Sequence, residues 1–255
     1  MSRPLILVTN DDGVNSKGIT ALVEIAQNFG DVFVVAPNSP QSGKSHAISL
    51  EKPIGVKLLL KSDYLTKFSC TGTPVDCVKL ALNKLMIKKP DIILSGINHG
   101  SNSSINVIYS GTMSAAIEAG IEGVPAIGFS LLDYKWNANF EESKDYIKKI
   151  TLTALKNGIP NGVVLNVNIP SVEKVKIKGV KVCRQAKAFW DEEFDKRKNP
   201  LGQEYYWLTG KFVNRDKGED TDEWALNQNY ISIVPVKFDL TAHHAIQNLN
   251  EWNFK

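Results

Sequence analysis

The sequence predicts an α/β fold: a three-layer, Rossmann-like arrangement in which a mostly parallel sheet carries helices on both faces. Three observations point there. Short apolar runs of strand length (5–9, 32–36, 91–95, 126–130 and 163–167) alternate with longer amphipathic stretches. Alternation of this kind builds right-handed βαβ units. The first strand also ends abruptly in Asn10-Asp11-Asp12-Gly13, at the carboxyl edge where open parallel sheets bind ligands.

The elements follow in order. Residues 5–9 read as a strand and 17–29 as a helix. Residues 32–36 form the second strand, stopped by Pro37, which has no N–H to continue a ladder. The zone 46–70 is less regular. Its alternating runs around 47–50 and 54–60 read as a hairpin or an edge extension of the sheet. Residues 74–87 form a helix with Pro74 at its start, where the missing N–H costs nothing. Residues 91–95 are a strand, 111–120 a helix of small residues, and 126–130 another strand. A helix over 143–157 and a strand over 163–167 follow, with Asn166 and Asn168 leading to Pro170.

After about 175 the character changes. Residues 1–175 are expected to form the α/β catalytic core, and 176–255 a C-terminal hairpin and oligomerisation extension ending in an exchanged tail. Residues 177–186 read as a strand, and two aromatic- and charge-rich runs (189–198 and 202–211) as a projecting hairpin. A short helix over 221–228 and a strand over 231–238 precede Asp239, and Trp252 and Phe254 close the chain.

Composition narrows the function classes. The 255 residues are 43% hydrophobic and 22% charged, as in ordinary globular proteins. A net charge of +3 is too small to argue for nucleic-acid or membrane binding. No apolar stretch approaches the ~20 residues of a membrane span, and Met1-Ser2-Arg3-Pro4 lacks the features of a signal peptide. With Cys70, Cys77 and Cys183 forming no metal-type pair, the expectation is a cytoplasmic protein with reduced thiols.

Four small, polar, glycine-containing loops can carry chemistry: Asn10-Asp11-Asp12-Gly13, the segment from Ala36 to Gly43, the segment from Ser95 to Asn102, and Tyr109-Ser110-Gly111-Thr112. Each singly reads as ordinary turn chemistry, and Asp11-Asp12 could simply cap the next helix. In a parallel sheet, however, the first three meet at one edge. Adjacent carboxylates repel each other, and a hard divalent cation relieves that repulsion. The fourth loop opens a helix, whose N-terminal N–H groups suit an anion. Cation and anion sites on one edge together imply a phosphate-containing ligand.

Other readings fit less well. Ser42-Gly43-Lys44-Ser45 ends like a P-loop but lacks the upstream glycine, and no G-x-G-x-x-G follows the first strand. None of His46, His99, His243 and His244 has zinc-protease spacing. His243, four residues after Asp239, could be oriented by it as a proton carrier or simply open an exposed helix. A phosphorelay receiver needs a further Asp and a Lys at later strand ends, where Pro37, Ser95 and Ser130 stand. A zinc sugar deacetylase needs His beside the paired aspartates, where Thr9 and Asn10 stand.

Several stretches in this order resemble the SurE family of metal-dependent survival-protein nucleotidases. They are Thr9-Asn10-Asp11-Asp12-Gly13 with Ser16-Lys17-Gly18-Ile19, Val34-Val35-Ala36-Pro37 with Gln41-Ser42-Gly43, and Ser69-Cys70-Thr71-Gly72-Thr73-Pro74-Val75-Asp76-Cys77-Val78. The run from Pro90 to Asn102, the run from Tyr109 to Glu118, and Asp239-Leu240-Thr241-Ala242-His243 complete the set, which spans nearly the whole chain. The resemblance implies a phosphomonoesterase acting on nucleoside 5′- and 3′-monophosphates and sometimes on short polyphosphate. The alternative is a nucleotide-binding module without catalysis. It implies one divalent cation, Mg²⁺ or Mn²⁺, held by Asp11, Asp12, Ser42 and Asn98. Asp11 and Asp12 would also be the catalytic pair, with metal-bound water or Asp11 itself as nucleophile. Asn10, Gly43, Asn102, Ser110, Gly111 and Thr112 fall where the family surrounds the phosphate. The family's exchanged C-terminal segments imply a homodimer or homotetramer. One departure is the second loop, where Asn38-Ser39-Pro40-Gln41 replaces the family's usual basic residues and leaves Lys44 as the nearby cation.

Overall fold

The computed structural model describes residues 3–135 and 137–254. Its strands and helices run in the order β1 (Leu5–Thr9), α1 (Lys17–Gln27), β2 (Asp31–Pro37), β3 (Val56–Lys61), β4 (Leu65–Cys70), α2 (Pro74–Leu80), β5 (Ile92–His99), α3 (Asn106–Tyr109), α4 (Gly111–Ile121) and β6 (Ala126–Leu131). There follow α5 (Lys144–Asn157), β7 (Val163–Ile169), β8 (Gly179–Val182), β9 (Ala188–Lys198), β10 (Glu204–Asn214), α6 (Asp222–Asn227), β11 (Tyr230–Lys237) and α7 (His243–Asn250).

Nine strands form one sheet in the order β3-β4-β2-β1-β5-β6-β7-β11-β8. From β4 to β7 every neighbouring pair is parallel. The antiparallel joins lie near the margins, β3 on β4 and β11 on β7. The mostly parallel sheet expected from the apolar runs is therefore present. Side chains alternate across a strand, and β1 shows it. Ile6 and Val8 pack in the core shared with α1 (Ile19, Leu22, Ile25) and α5 (Ile147, Ile150), whereas Leu7 faces the core shared with α2 (Cys77, Val78) and α4 (Met113, Ala115, Ala116). Helices thus cover both faces.

Helix starts follow their capping residues. Ser16 accepts the Ile19 N–H at the head of α1. Thr73 and Asp76 form a reciprocal capping box at α2, with Pro74 just inside it. Beyond α2, residues Ala81–Leu85 continue as a wider π turn closed by Met86 N–H on the Ala81 carbonyl, so the helical run expected over 74–87 changes pitch halfway.

Two expectations need correction. The run at 47–50 is not a strand: the N-terminus of α2 satisfies its polar groups instead. The Thr73 hydroxyl donates to the Ala47 carbonyl at 2.7 Å, and Asp76 accepts the Ser49 N–H at 3.1 Å and hydroxyl at 2.7 Å. The hairpin pairs β3 with β4, and β4 then lies parallel to β2. The strand expected over 177–186 shrinks to β8, because Arg184 leaves the ladder to bridge Thr221.

After residue 175, β8 and β11 join the main sheet, while β9 and β10 form a separate two-stranded ribbon. Among the described residues no helix is long and apolar enough to cross a membrane.

Candidate active site

β1 lies between β2 and β5, with Thr9 level with Ser95 and Val8 level with Val34. The chain turns to one side of β1 for β2 and to the other for β5, so the carboxyl end of β1 stands at the crevice where such sheets bind ligands. The loop there is rigid. Asn10, fully buried, donates from its carboxamide to the Gly13 carbonyl at 3.0 Å and to the Ser16 hydroxyl at 2.8 Å, and accepts the Gly13 N–H. Its side chain is engaged in shaping the aspartate loop and in orienting the cap of α1, which leaves little of it for a phosphate.

Asp11 is 3% exposed. Burial, reinforced by the neighbouring Asp12 charge, pushes its carboxyl up to about 6, although Thr112 hydrogen bonds favour the ionised form. The Thr112 hydroxyl donates to Asp11 Oδ1. Burial also raises Asp12, against a lowering influence from His99, whose N–H lies 3.4 Å from Asp12 Oδ2. Two carboxylates are thus held together in a place that disfavours their charge.

The second loop is tied to the first. Gln41 N–H donates to the Asp11 carbonyl at 2.7 Å, and Val14 N–H to the Pro37 carbonyl at 2.7 Å. A turn closed by Lys44 N–H on the Gln41 carbonyl presents Ser42 and Gly43 to solvent. In the third loop, Asn98 donates from Nδ2 to the Gly100 carbonyl at 2.9 Å, which leaves its carboxamide oxygen as the free end.

Asn102 is buried in a polar network. Its N–H donates to Asn168, its carboxamide to Ser130 at 2.9 Å, and its carbonyl accepts from Asn166. The two asparagines of β7 therefore anchor the third loop, a role that their place in an apolar run hints at but does not specify. Ser103 and Ser104 extend the anchorage to Glu223 and Asp222 at the head of α6.

Ser110 caps α4 by accepting the Met113 N–H at 3.0 Å. Gly111 and Thr112 press against the first loop: a Cβ on Gly111 would lie 2.7 Å from Asp11 Cβ. The fourth loop, expected as a phosphate cradle, is thus in large part a clamp on Asp11. His243 stands apart from these loops in sequence, exposed at the head of α7, with Nε2 2.7 Å from Asp239 Oδ2. The hydrogen bond to His243 is the first cause that holds the Asp239 carboxyl well below its ordinary range.

Among the described residues no group of three or more His, Cys, Asp or Glu side chains could hold a metal ion. A cation at this edge would rely on two carboxylates completed by neutral oxygens from Ser42 and Asn98. That all-oxygen set fits a hard cation such as Mg²⁺ or Mn²⁺ rather than zinc, and the uncompensated Asp11–Asp12 charge fits it too.

Comparison with known proteins agrees with this geometry. A family model described as survival protein SurE matches residues 6–192. The chain is 64% identical over 254 residues, 99% of each chain, to a Flavobacterium psychrophilum protein named 5′-nucleotidase SurE. It is 53% identical over 256 residues to a Cytophaga hutchinsonii protein of the same name, covering 100% of this chain and 99% of that one. The crystal structure of the SurE protein from Aquifex aeolicus superposes with a TM-score of 0.84 at 38% identity, covering 97% of this chain and 98% of that one. On its sequence and its fold alike, the chain belongs to the SurE family.

Proposed function

We propose that this protein is a metal-dependent phosphomonoesterase that hydrolyses nucleoside 5′- and 3′-monophosphates to nucleoside and phosphate, and short polyphosphate as a secondary substrate. The observation that carries the reading is the Asp11–Asp12 pair at the carboxyl end of β1, with Asp11 buried and clamped by the head of α4 and Asp12 half-buried beside it. The names of relatives that match over almost the full chain support it.

Asp11, Asp12, Ser42 and Asn98 would hold one Mg²⁺ or Mn²⁺. The chemistry it would supply there is polarisation of a phosphoryl oxygen and a lowered pKa for water beside it. The chain's own residues do the rest. Thr112 fixes the Asp11 carboxylate by its hydroxyl. Ser110 accepts the Met113 N–H and so keeps its own proton to donate to a phosphoryl oxygen. Gly43, exposed beside Ser42, leaves room for the phosphate. Asn10 and Asn102 position the first and third loops from behind. His243 is proposed as the proton carrier, supported by the Asp239 carboxylate that orients its ring.

The same reading includes a cytoplasmic location, in keeping with three free, buried cysteines. It also includes a homodimer or homotetramer assembled through residues 176–255, supported by the exposed aromatics of β9, β10 and the tail.

The test is phosphate release from a panel of nucleoside monophosphates, with EDTA and then with Mg²⁺ or Mn²⁺ restored. Release that stops with EDTA and returns with metal is expected. A folded protein that binds nucleotides yet releases no phosphate, from them or from polyphosphate, would establish the non-catalytic module instead. Trapping a phosphorylated Asp11 with a slow substrate would replace water by Asp11 as nucleophile.

A further inference from the structure

We infer that Tyr134 is the platform on which the substrate's nucleobase stacks, an inference that rests on the nucleotidase reading above. Tyr134 follows the carboxyl end of β6, the strand beside β5. Its ring lies directly over Gly100: a Cβ there would come within 2.2 Å of Tyr134 Cε1, so this close approach requires glycine. Its phenol oxygen accepts the Ser101 N–H at 3.3 Å. The loop that carries it is fastened on both sides. Leu132 N–H donates to the Ile169 carbonyl at 2.9 Å, and His99 Nδ1 lies 3.1 Å from the Lys135 carbonyl oxygen. The His99 ring also meets Phe140 edge-on at 5.1 Å.

Despite these restraints Tyr134 is 73% exposed. A ring held at its edge and its tip, with most of its surface in water, has already lost the freedom that binding would otherwise remove. Aromatic rings of this kind stack with nucleobases irrespective of base identity, because every base has a π face. Covering Gly100 alone would not call for so large a side chain with so much of it left outside.

The position suits a nucleotide. Gly100, under the ring, also holds Asn98 through its carbonyl, and His99 N–H points at Asp12. The platform therefore rests on the same short segment that would bring Asn98 to the cation, to one side of the phosphate. A nucleoside monophosphate bound with its phosphate at Asp11 and Asp12 must extend its base away from that point, and a rigid exposed ring stands on the adjoining loop. The phosphate-handling residues distinguish a phosphoryl group, whereas Tyr134 distinguishes a nucleotide from other monoesters.

The test compares the wild-type protein, Tyr134→Ala and Tyr134→Phe on adenosine 5′-monophosphate, cytidine 5′-monophosphate and ribose 5-phosphate with metal present. Tyr134→Ala is expected to lower kcat/KM for the adenosine ester about tenfold, chiefly through KM, in line with the loss of one base–aromatic stack. The cytidine ester, with its smaller ring, should lose less, and ribose 5-phosphate should be unaffected. Tyr134→Phe, which keeps the ring, should stay near wild type. An equal loss on ribose 5-phosphate would reduce Tyr134 to a support for the Gly100 loop, and an unchanged adenosine ester would also overturn the inference. A wild-type protein inactive on all three esters would instead refute the nucleotidase reading itself, and the stacking role with it.

Discussion

Gly111, the first residue of α4, leaves no room for a side chain between itself and Asp11: an added Cβ would stand 2.7 Å from Asp11 Cβ and 2.9 Å from Asp11 Oδ2. The helix therefore approaches the aspartate as closely as backbone allows, and Thr112 follows with its hydroxyl on Oδ1. Gly111→Ala must push Asp11 or the helix aside by several tenths of an ångström or more. Misplacement of about 1 Å in a catalytic constellation costs on the order of a hundredfold in rate. The variant should fold, with unchanged circular dichroism, and lose about two orders of magnitude in phosphate release. Near-wild-type turnover would show that Asp11 does not need this placement.

The same burial gives Asp11 a pH signature. Its carboxyl, pushed up to about 6 in the folded chain, has a reference value of 3.8. A carboxyl raised on folding supports the folded state below its unfolded value and withdraws that support as pH climbs through the folded value. Without metal, wild-type stability should therefore fall between about pH 4 and pH 6 through this group. Asp11→Asn removes the charge, so in EDTA it should be more stable than wild type at pH 7, by on the order of 1–3 kcal/mol, and lose that advantage near pH 4. Urea melts at the two pH values check this. An advantage that is the same at both would detach it from Asp11 ionisation.

The sequence makes much of this site legible, for a physical reason. A parallel sheet puts all carboxyl ends on one edge, so the proposed donors Asp11 and Ser42, in the loops after β1 and β2, and Asn98, near the end of β5, can be grouped from strand order alone. The Thr112–Asp11 bond is different. It joins residues 101 positions apart and depends on how closely α4 packs, which no local pattern encodes. Asn102 likewise reads as a loop residue exposed to ligand, whereas Ser130, Asn166 and Asn168 draw it inside. At the sheet margin, Leu65–Cys70 alternates too weakly to announce a strand, and its pairing with β2 supplies what its composition lacks. The ribbon of β9 and β10 is legible because two long runs rich in aromatic and charged residues flank a short turn that contains Pro200 and Gly202.

Behind the site, Glu118 of α4 is nearly buried and faces a lysine and a histidine. His46 Nε2 stands 2.8 Å from Oε2, and Lys79 Nζ 2.5 Å from Oε1. Removing Lys79 leaves the buried Glu118 carboxylate with only its His46 contact, whereas removing both charges is much less costly. Lys79→Met should therefore cost about 1–3 kcal/mol, more than its half-exposed position suggests. Adding Glu118→Gln should recover much of the loss. A double-mutant cycle by urea unfolding measures the coupling, and strict additivity of the two substitutions would dismiss it.

The ribbon of β9 and β10 pairs eleven residues on each strand but does not join the nine-stranded sheet. An isolated two-stranded ribbon is at best marginally stable in water, and this one carries Phe194 at 64% and Leu208 at 59% exposure. These two residues are directly opposite in the ladder and so share a face. An apolar face on so slender an element calls for cover, and a second copy of the chain offers the same face in return. Light scattering should find the wild-type protein larger than a monomer. Phe194→Ser with Leu208→Ser should shift it toward the monomer at micromolar concentration, without altering the α/β sheet seen by circular dichroism. An oligomer that survives both substitutions would assign the assembly to another surface, and a monomeric wild type would remove the need for one.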